Sequence, residues 1–284
     1  MAVILQLKRR ILTAQNISKT TKAMQMIAAS KLRKAQDAAL ASRPYVEKLL
    51  SVTGDLTKRV EKFALPEYMK ERDTTGKTLF VIIGPDKGLC GGLVTNLVRD
   101  VMKRAKSQDS FITIGKKVES PVAHYNKNIV GSFIFGNTLP TFDVVYPIVT
   151  MINEQFKSGK IDTVEIVSSH FVNVFVQKAT QTHLLPIRPQ AETETKSVND
   201  AFQLFEPNVE ELLPDLLQRY IEMAVYQEIL ESYLSEQAAR LLSMQNATTN
   251  AKEIIEDLKL EYNKTRQAKI TAELLDITGS AVAN

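Results

Sequence analysis

Apolar and small residues recur along the first 43 positions at Ile4, Leu7, Ile11, Ala14, Thr21, Met24, Ala28, Leu32 and Ala35. This is close to three-four spacing, which places them on one stripe of an α-helix. Neither Gly nor Pro occurs in residues 1–43, and good helix formers (Ala, Leu, Lys, Gln, Met, Arg) fill most other positions. At ~1.5 Å per residue the helix would run about 60 Å, and so long and narrow a stripe calls for a partner helix. The C-terminal region supplies one. Residues 215–278 also lack both breakers, and Pro207 and Pro214 sit where a helix start tolerates proline. Ile255, Leu258, Tyr262, Thr265, Ala268, Ala272 and Leu275 repeat the three-four step. This second helix would reach roughly 95 Å. Ala238, Ala239, Ala247, Thr248, Thr249 and Ala251 are small, which lets two helices approach closely.

The centre has a different rhythm. Thr78–Ile83 is a continuous apolar run between Gly76 and Gly84, the mark of a buried parallel strand. A helical pattern follows from about Leu93 to Ala105, then a strand at Phe111–Ile114 and a helix from about Lys116 to Tyr125. Ile129–Phe135 reads as strand, Phe142–Phe156 as helix, and Val164–Ser169 and Ala179–Leu185 as two more strands. Alternation of this kind predicts βαβ units in a mostly parallel, Rossmann-like sheet. The polar stretch 190–199 reads as a loop. The expected organisation is therefore α/β plus a long antiparallel coiled coil: an N-terminal coil helix within 1–60, a central α/β domain over 76–190, and a C-terminal coil helix within 207–284 that pairs with the first.

Composition narrows the functional classes. The chain has 284 residues, 44% hydrophobic and 24% charged, which is ordinary for a folded domain. Its longest apolar runs are far below the ~20 residues that span a bilayer. A single cysteine, Cys90, excludes an internal disulfide and a cysteine metal site, and His124, His170 and His183 have no ligand spacing. The formal net charge of +4 conceals an asymmetry: residues 1–48 hold ten Lys/Arg against Asp37 and Glu47, whereas 206–284 hold fourteen Asp/Glu against seven Lys/Arg. A basic helix against an acidic one is consistent with antiparallel pairing. The basic helix could instead follow nucleic-acid phosphates, although few aromatics interleave to stack on bases. It could also act as a mitochondrial targeting peptide, but the helical pattern runs past residue 40 without a cleavable junction.

The block Asp86-Lys87-Gly88-Leu89-Cys90-Gly91-Gly92 lies between a strand and a helix, where α/β folds bind phosphate. A phosphate loop would need G-x-x-x-x-G-K-[ST]; here Lys87 precedes Gly88 and no Lys-Ser/Thr pair closes the loop. G-x-G-x-x-G, G-x-S-x-G and H-E-x-x-H do not occur either. Cys90 has no histidine nearby in sequence to activate it. Asp86, Lys87, Gly88, Cys90 and Gly91 read as a structural turn, and the residues as a whole argue for a mechanical or interaction protein.

Three blocks carry a resemblance: Ile17-Ser18-Lys19-Thr20-Thr21-Lys22-Ala23-Met24-Gln25-Met26-Ile27-Ala28-Ala29-Ser30-Lys31-Leu32, the block from Asp86 to Gly92, and Tyr262-Asn263-Lys264-Thr265-Arg266-Gln267-Ala268 running into Ile270–Asp276. Together, in order, and over essentially the full length, they resemble the gamma subunit of F-type ATP synthases. The chain departs from that pattern at Ser280, where glycine is usual, and at Gly84-Pro85, where Ser or Thr commonly precedes the Asp. The resemblance implies a central rotor shaft whose two helices turn inside a ring of alternating alpha and beta subunits. The α/β domain would meet the epsilon subunit and the ring of c subunits. Proton flow would drive rotation, and the chain itself would bind no cofactor, nucleotide or metal, with ATP, ADP and Mg on the alpha and beta subunits. Its family contacts to the alpha/beta ring would fall on Met24, Lys31, Arg33, Lys34, Arg240, Arg266, Gln267 and Thr271. Those to the c ring would fall on Gln203, Phe205 and Glu206. One cysteine cannot make the regulatory pair of plastid members, and Met1 lies close to the first helix. The expectation is therefore a bacterial, peripheral protein on the cytoplasmic face of the plasma membrane, touching the membrane only through the c ring. The alternatives are a nucleotide-dependent α/β enzyme with helical arms and a nucleic-acid-binding or scaffolding coiled coil.

Overall fold

The structure, a computed structural model, describes residues 2–57, 66–72, 75–188 and 208–282. It divides into two compact units: residues 1–29 with 240–284, and residues 30–239. Two helices, α1 (Ala2–Thr57) and α5 (Val209–Val282), contribute to both.

The first unit is a pair of helices. In α1, Ile4, Leu7, Ile11, Ala14, Ser18, Thr21, Gln25 and Ala28 are all buried or half-buried, in strictly alternating steps of three and four. In α5, Met244, Thr248, Ala251, Ile255, Leu258, Tyr262 and Thr265 do the same. A sustained seven-residue repeat is that of a left-handed coiled coil. Small residues (Ala14, Ser18, Thr21, Ala28, Thr248 and Ala251) fill the middle of the seam, and the Thr21 and Thr248 hydroxyls meet across it at 2.8 Å. That contact fixes the antiparallel register and puts the start of α1 opposite about residue 267 of α5. Ala268, Ala272 and Leu275, expected on the stripe, are accordingly exposed, because α1 has ended.

The charge expectation changes as well. The α1 stretch of this unit carries Lys8, Arg9, Arg10, Lys19 and Lys22, all exposed, and no acidic residue. Its partner, 240–284, carries six acidic and six basic residues, so the acidic excess of the C-terminal region lies in 206–239. Charge therefore does not pair the coil. An ion pair between α1 and α5, Arg43 to Glu231, lies in the other unit.

That unit is a five-stranded sheet in the order β3-β2-β1-β4-β5. Its strands are β1 (Thr78–Ile83), β2 (Ser110–Ile114), β3 (Asn128–Phe133), β4 (Thr163–Phe171) and β5 (Gln177–Leu185). All neighbours are parallel except β4 and β5. Helices α2 (Leu93–Arg104), α3 (Lys116–His124) and α4 (Val145–Lys157) make the crossovers. Alternate residues of β1 serve opposite faces, as strand geometry requires. Leu79, Val81 and Ile83 pack with Ile148 and Ile152 of α4 and Leu213, Leu217 and Ile221 of α5. Phe80 and Ile82 pack with Leu97 and Val101 of α2 and Val118 and Val122 of α3. The result is a doubly wound layer structure whose second face is completed by the terminal helix.

Each of the two long helices contains a proline. Pro44 lies within α1, beyond the breaker-free stretch, and Pro214 within α5. Proline removes the bond to the carbonyl four residues earlier. At Pro44 that carbonyl belongs to Leu40, and both residues are exposed, so water can satisfy it.

The candidate site: a sealed crevice and an exposed coil

In a doubly wound sheet, ligands bind outside the carboxyl ends of the strands where the strand order reverses. Here that point lies between β1 and β4, since the chain winds from β1 through β2 to β3 and then crosses to β4. Register places Ile82 beside Val167, so Ile83 and Ser168 mark the crevice. Helix α5 occupies it. Ser232 donates to the Ile83 carbonyl at 3.1 Å, Ser235 donates to the Ser169 carbonyl at 2.6 Å, and Ser168 donates to Glu228 at 2.5 Å. Cys90 and Leu93, at the head of α2, pack on Ala239 of the same helix. The strand-end carbonyls and the amino end of α2, which would meet a phosphate in a nucleotide enzyme, are thus engaged by the protein's own helix.

The turn residues are structural partners. Asp86 accepts from the backbone N–H of Lys116 at 2.9 Å, of Phe135 at 3.1 Å and of Gly136 at 2.6 Å, tying the β1–α2 turn to the start of α3 and the end of β3. Gly91 has φ +61°, and Leu89 adopts a comparable +65° while 61% exposed. Cys90 is buried. A side chain at Gly115, φ +102°, would overlap the Gly84 carbonyl oxygen, so β1 and β2 end in close backbone approach.

The ring-contact residues are distributed over both units. Met24 is off the coil seam and 37% exposed, with Arg240 half-buried in the same unit. Arg266, Gln267 and Thr271 are exposed, and the Thr271 hydroxyl donates to the Gln267 carbonyl at 3.0 Å. In the α/β unit Arg33 and Lys34 are exposed, whereas the Lys31 ammonium donates to the Asn137 carbonyl. Gln203, Phe205 and Glu206, like the loop at 190–199, lie outside the described residues. On the coil, Gln6, Arg9, Arg10 and Thr13 of α1 and Ala247, Asn250, Ala251 and Ile254 of α5 line a groove of about 460 Å³.

Sequence reasoning passed over the polar run of α5. Glu228, Glu231, Ser232, Ser235 and Glu236 lie on one helical stretch, of which Glu231 through Glu236 are buried. Burial, together with the Glu231 charge, pushes the Glu228 carboxyl above the usual range, against the opposing effect of hydrogen bonds from Ser168 and Thr182. The available signal was that these groups interleave with Val225, Ile229, Leu230 and Tyr233, an all-round apolar frame.

Fold and site define a class: a doubly wound α/β protein whose ligand crevice is closed by one of its own helices and whose terminal helices form an antiparallel coil. Residues 4–283 match the ATP synthase family. The chain is 41% identical over 286 residues to the ATP synthase gamma chain of Dehalococcoides mccartyi, covering 100% of this chain and 99% of that one. It is 38% identical over 284 residues to the gamma chain of Stenotrophomonas maltophilia, covering 98% of each. A chain of the mitochondrial ATP synthase of Euglena gracilis, solved with its F1 and c-ring, shares the fold at a TM-score of 0.70 and 20% identity, over 99% of this chain and 94% of that one. The chain belongs to the ATP synthase gamma-chain family. Among the described residues no helix is long and apolar enough to cross a membrane.

Proposed function

We propose that the chain is the central rotor shaft of an F-type proton-translocating ATP synthase. It couples rotation of a c-subunit ring to sequential conformational change at the catalytic beta subunits. The observation that carries this reading is the pair of long helices in heptad register, α5 alone running 74 residues as one α-helix. A helix with its backbone bonds intact transmits torsion, whereas a broken one yields at the break.

The chain does no chemistry and binds no nucleotide, cofactor or metal; ATP, ADP and Mg belong to the alpha and beta subunits. In support, the crevice that would hold a nucleotide is filled by Ser232, Ser235 and Ala239 of α5. The exposed cations Lys8, Arg9, Arg10, Lys19 and Lys22 have no acidic excess to meet in their partner helix, which leaves them for the surrounding ring. Arg33, Lys34, Met24, Arg240, Arg266, Gln267 and Thr271 join them, while Gln203, Phe205 and Glu206 meet the c ring and the α/β unit meets the epsilon subunit. The protein works at the cytoplasmic face of a bacterial plasma membrane, held there by its partners.

Purification of the tagged chain from cells under native conditions, with equilibrium dialysis of the isolated chain against ATP, tests this. Co-purifying alpha and beta subunits and an isolated chain without ATP affinity are expected. Recovery without those subunits, or saturable ATP binding by the chain alone, contradicts it.

A further inference from the structure

Within the α/β unit, a cavity of about 320 Å³ opens between α1, β4 and α5, lined chiefly by Arg43, Glu47, His170, Glu228 and Glu231. Three carboxylates there face one guanidinium and one imidazole. Glu231 is 4% exposed and its two oxygens are treated unequally. Oε1 accepts from Arg43 through Nε, at 3.1 Å, and through Nη2, and Gln227 Nε2 lies 3.5 Å from it. Oε2 is buried with no hydrogen-bond partner. His170 Nδ1 is 3.6 Å from it, an ion pair when the imidazole is protonated but too far for a hydrogen bond.

Glu228 is fixed to the sheet, accepting from Ser168 at 2.5 Å and from Thr182 at 3.0 Å. Glu47 is exposed at the edge of the cavity. Lys178, opposite His170 across β4 and β5, is exposed and does not line it. An ionised carboxylate offers about four acceptor positions, so acceptors and negative charge are both in excess. Buried polar atoms are satisfied in the great majority of native structures; the missing partner is a cationic donor. Among the described residues no group of His, Cys, Asp or Glu is arranged to hold a metal ion. A water would satisfy a lone pair and leave the charge unanswered.

We propose that this cavity binds an alkylammonium group, which donates to Glu231 Oε2 and is further balanced by Glu47. The ammonium is carried either by a free amine or by a lysine of a partner subunit.

Butylammonium titrated into the full chain by calorimetry is the probe, with tetramethylammonium, a cation without an N–H donor, as control. Saturable one-site binding of butylammonium alone is expected, about tenfold weaker in Glu231→Gln because a charge-assisted hydrogen bond is lost. Glu47→Gln, at an exposed position, should weaken binding a few-fold with an unchanged circular dichroism spectrum, so a misfolded Glu231 variant does not decide the result. Repeating the titration on the assembled complex separates the sources: retained binding points to a free amine, lost binding to a partner's lysine already in place. If butylammonium fails to bind the free chain, or tetramethylammonium or the Glu231→Gln chain binds equally well, the proposal is overturned and the cavity holds water only.

Discussion

Ala251 is 6% exposed and lies on the α5 seam, three residues beyond the Thr248 that meets Thr21. Proline there removes the N–H directed at the carbonyl of residue 247 and drives its ring into that carbonyl, costing about 3 kcal/mol or more, whereas glycine costs about 1 kcal/mol. The larger figure changes the local opening equilibrium by roughly a hundredfold. The residues nearest it across and along the seam, Ala14, Ser18, Thr21 and Thr248, are small and bury little apolar area, so neighbouring contacts offset little of that loss. ATP synthesis driven by a proton gradient, in vesicles bearing the assembled complex, is the assay, with subunit content measured alongside. Ala251→Gly should keep most of the synthesis and Ala251→Pro should lose most of it at unchanged subunit content. Ala272→Pro, where α5 has no partner helix, should cost less than Ala251→Pro. If Ala251→Pro assembles and synthesises ATP at the wild-type rate, the claim that an unbroken paired helix transmits the torque is wrong.

Three further outcomes follow from the geometry. Gly115→Ala forces a left-handed backbone and overlaps the Gly84 carbonyl, so denaturant unfolding should show a loss of roughly 2–4 kcal/mol or no folded protein at all. In a double-mutant cycle of Thr21→Val and Thr248→Val, thermal unfolding should give a coupling of about 1 kcal/mol for the cross-helix hydroxyl pair, and zero coupling would deny the register. The native state holds the Glu228 proton more tightly than the unfolded chain does; that contribution is therefore complete below the ordinary glutamate range and is lost as pH rises through the elevated native value. Urea midpoints of the wild type should consequently fall relative to Glu228→Gln as pH is raised across that interval, and parallel curves would remove the buried-carboxyl argument.

Much of the α/β unit could be read from the sequence because its central strands β1 and β2 are buried on both faces. Continuous apolar runs such as Thr78–Ile83 ended by glycine have few other readings, and the structure returns that strand with the same bounds. The coil was legible as a periodicity, but its end was not. Ala268, Ala272 and Leu275 keep the three-four step although α1 ends before reaching them and they are exposed, since spacing reports which residues share a face and not whether the first helix covers it. The charge balance misled for a related reason. Summing 206–284 merged the neutral coil stretch with the acidic stretch that packs in the α/β unit. The sealed crevice was illegible because its closing residues are distant in sequence. Ser232 lies 149 residues from Ile83, and a polar helix segment gives no sign that the ends of two strands will bury it.

The most direct measurement attaches a rotation probe to this chain in a surface-immobilised complex containing the alpha and beta subunits and supplies ATP. Continuous rotation in one direction, sustained only while the nucleotide is hydrolysed by the ring, is expected. Hydrolysis at the same rate with the chain stationary relative to the ring would contradict it.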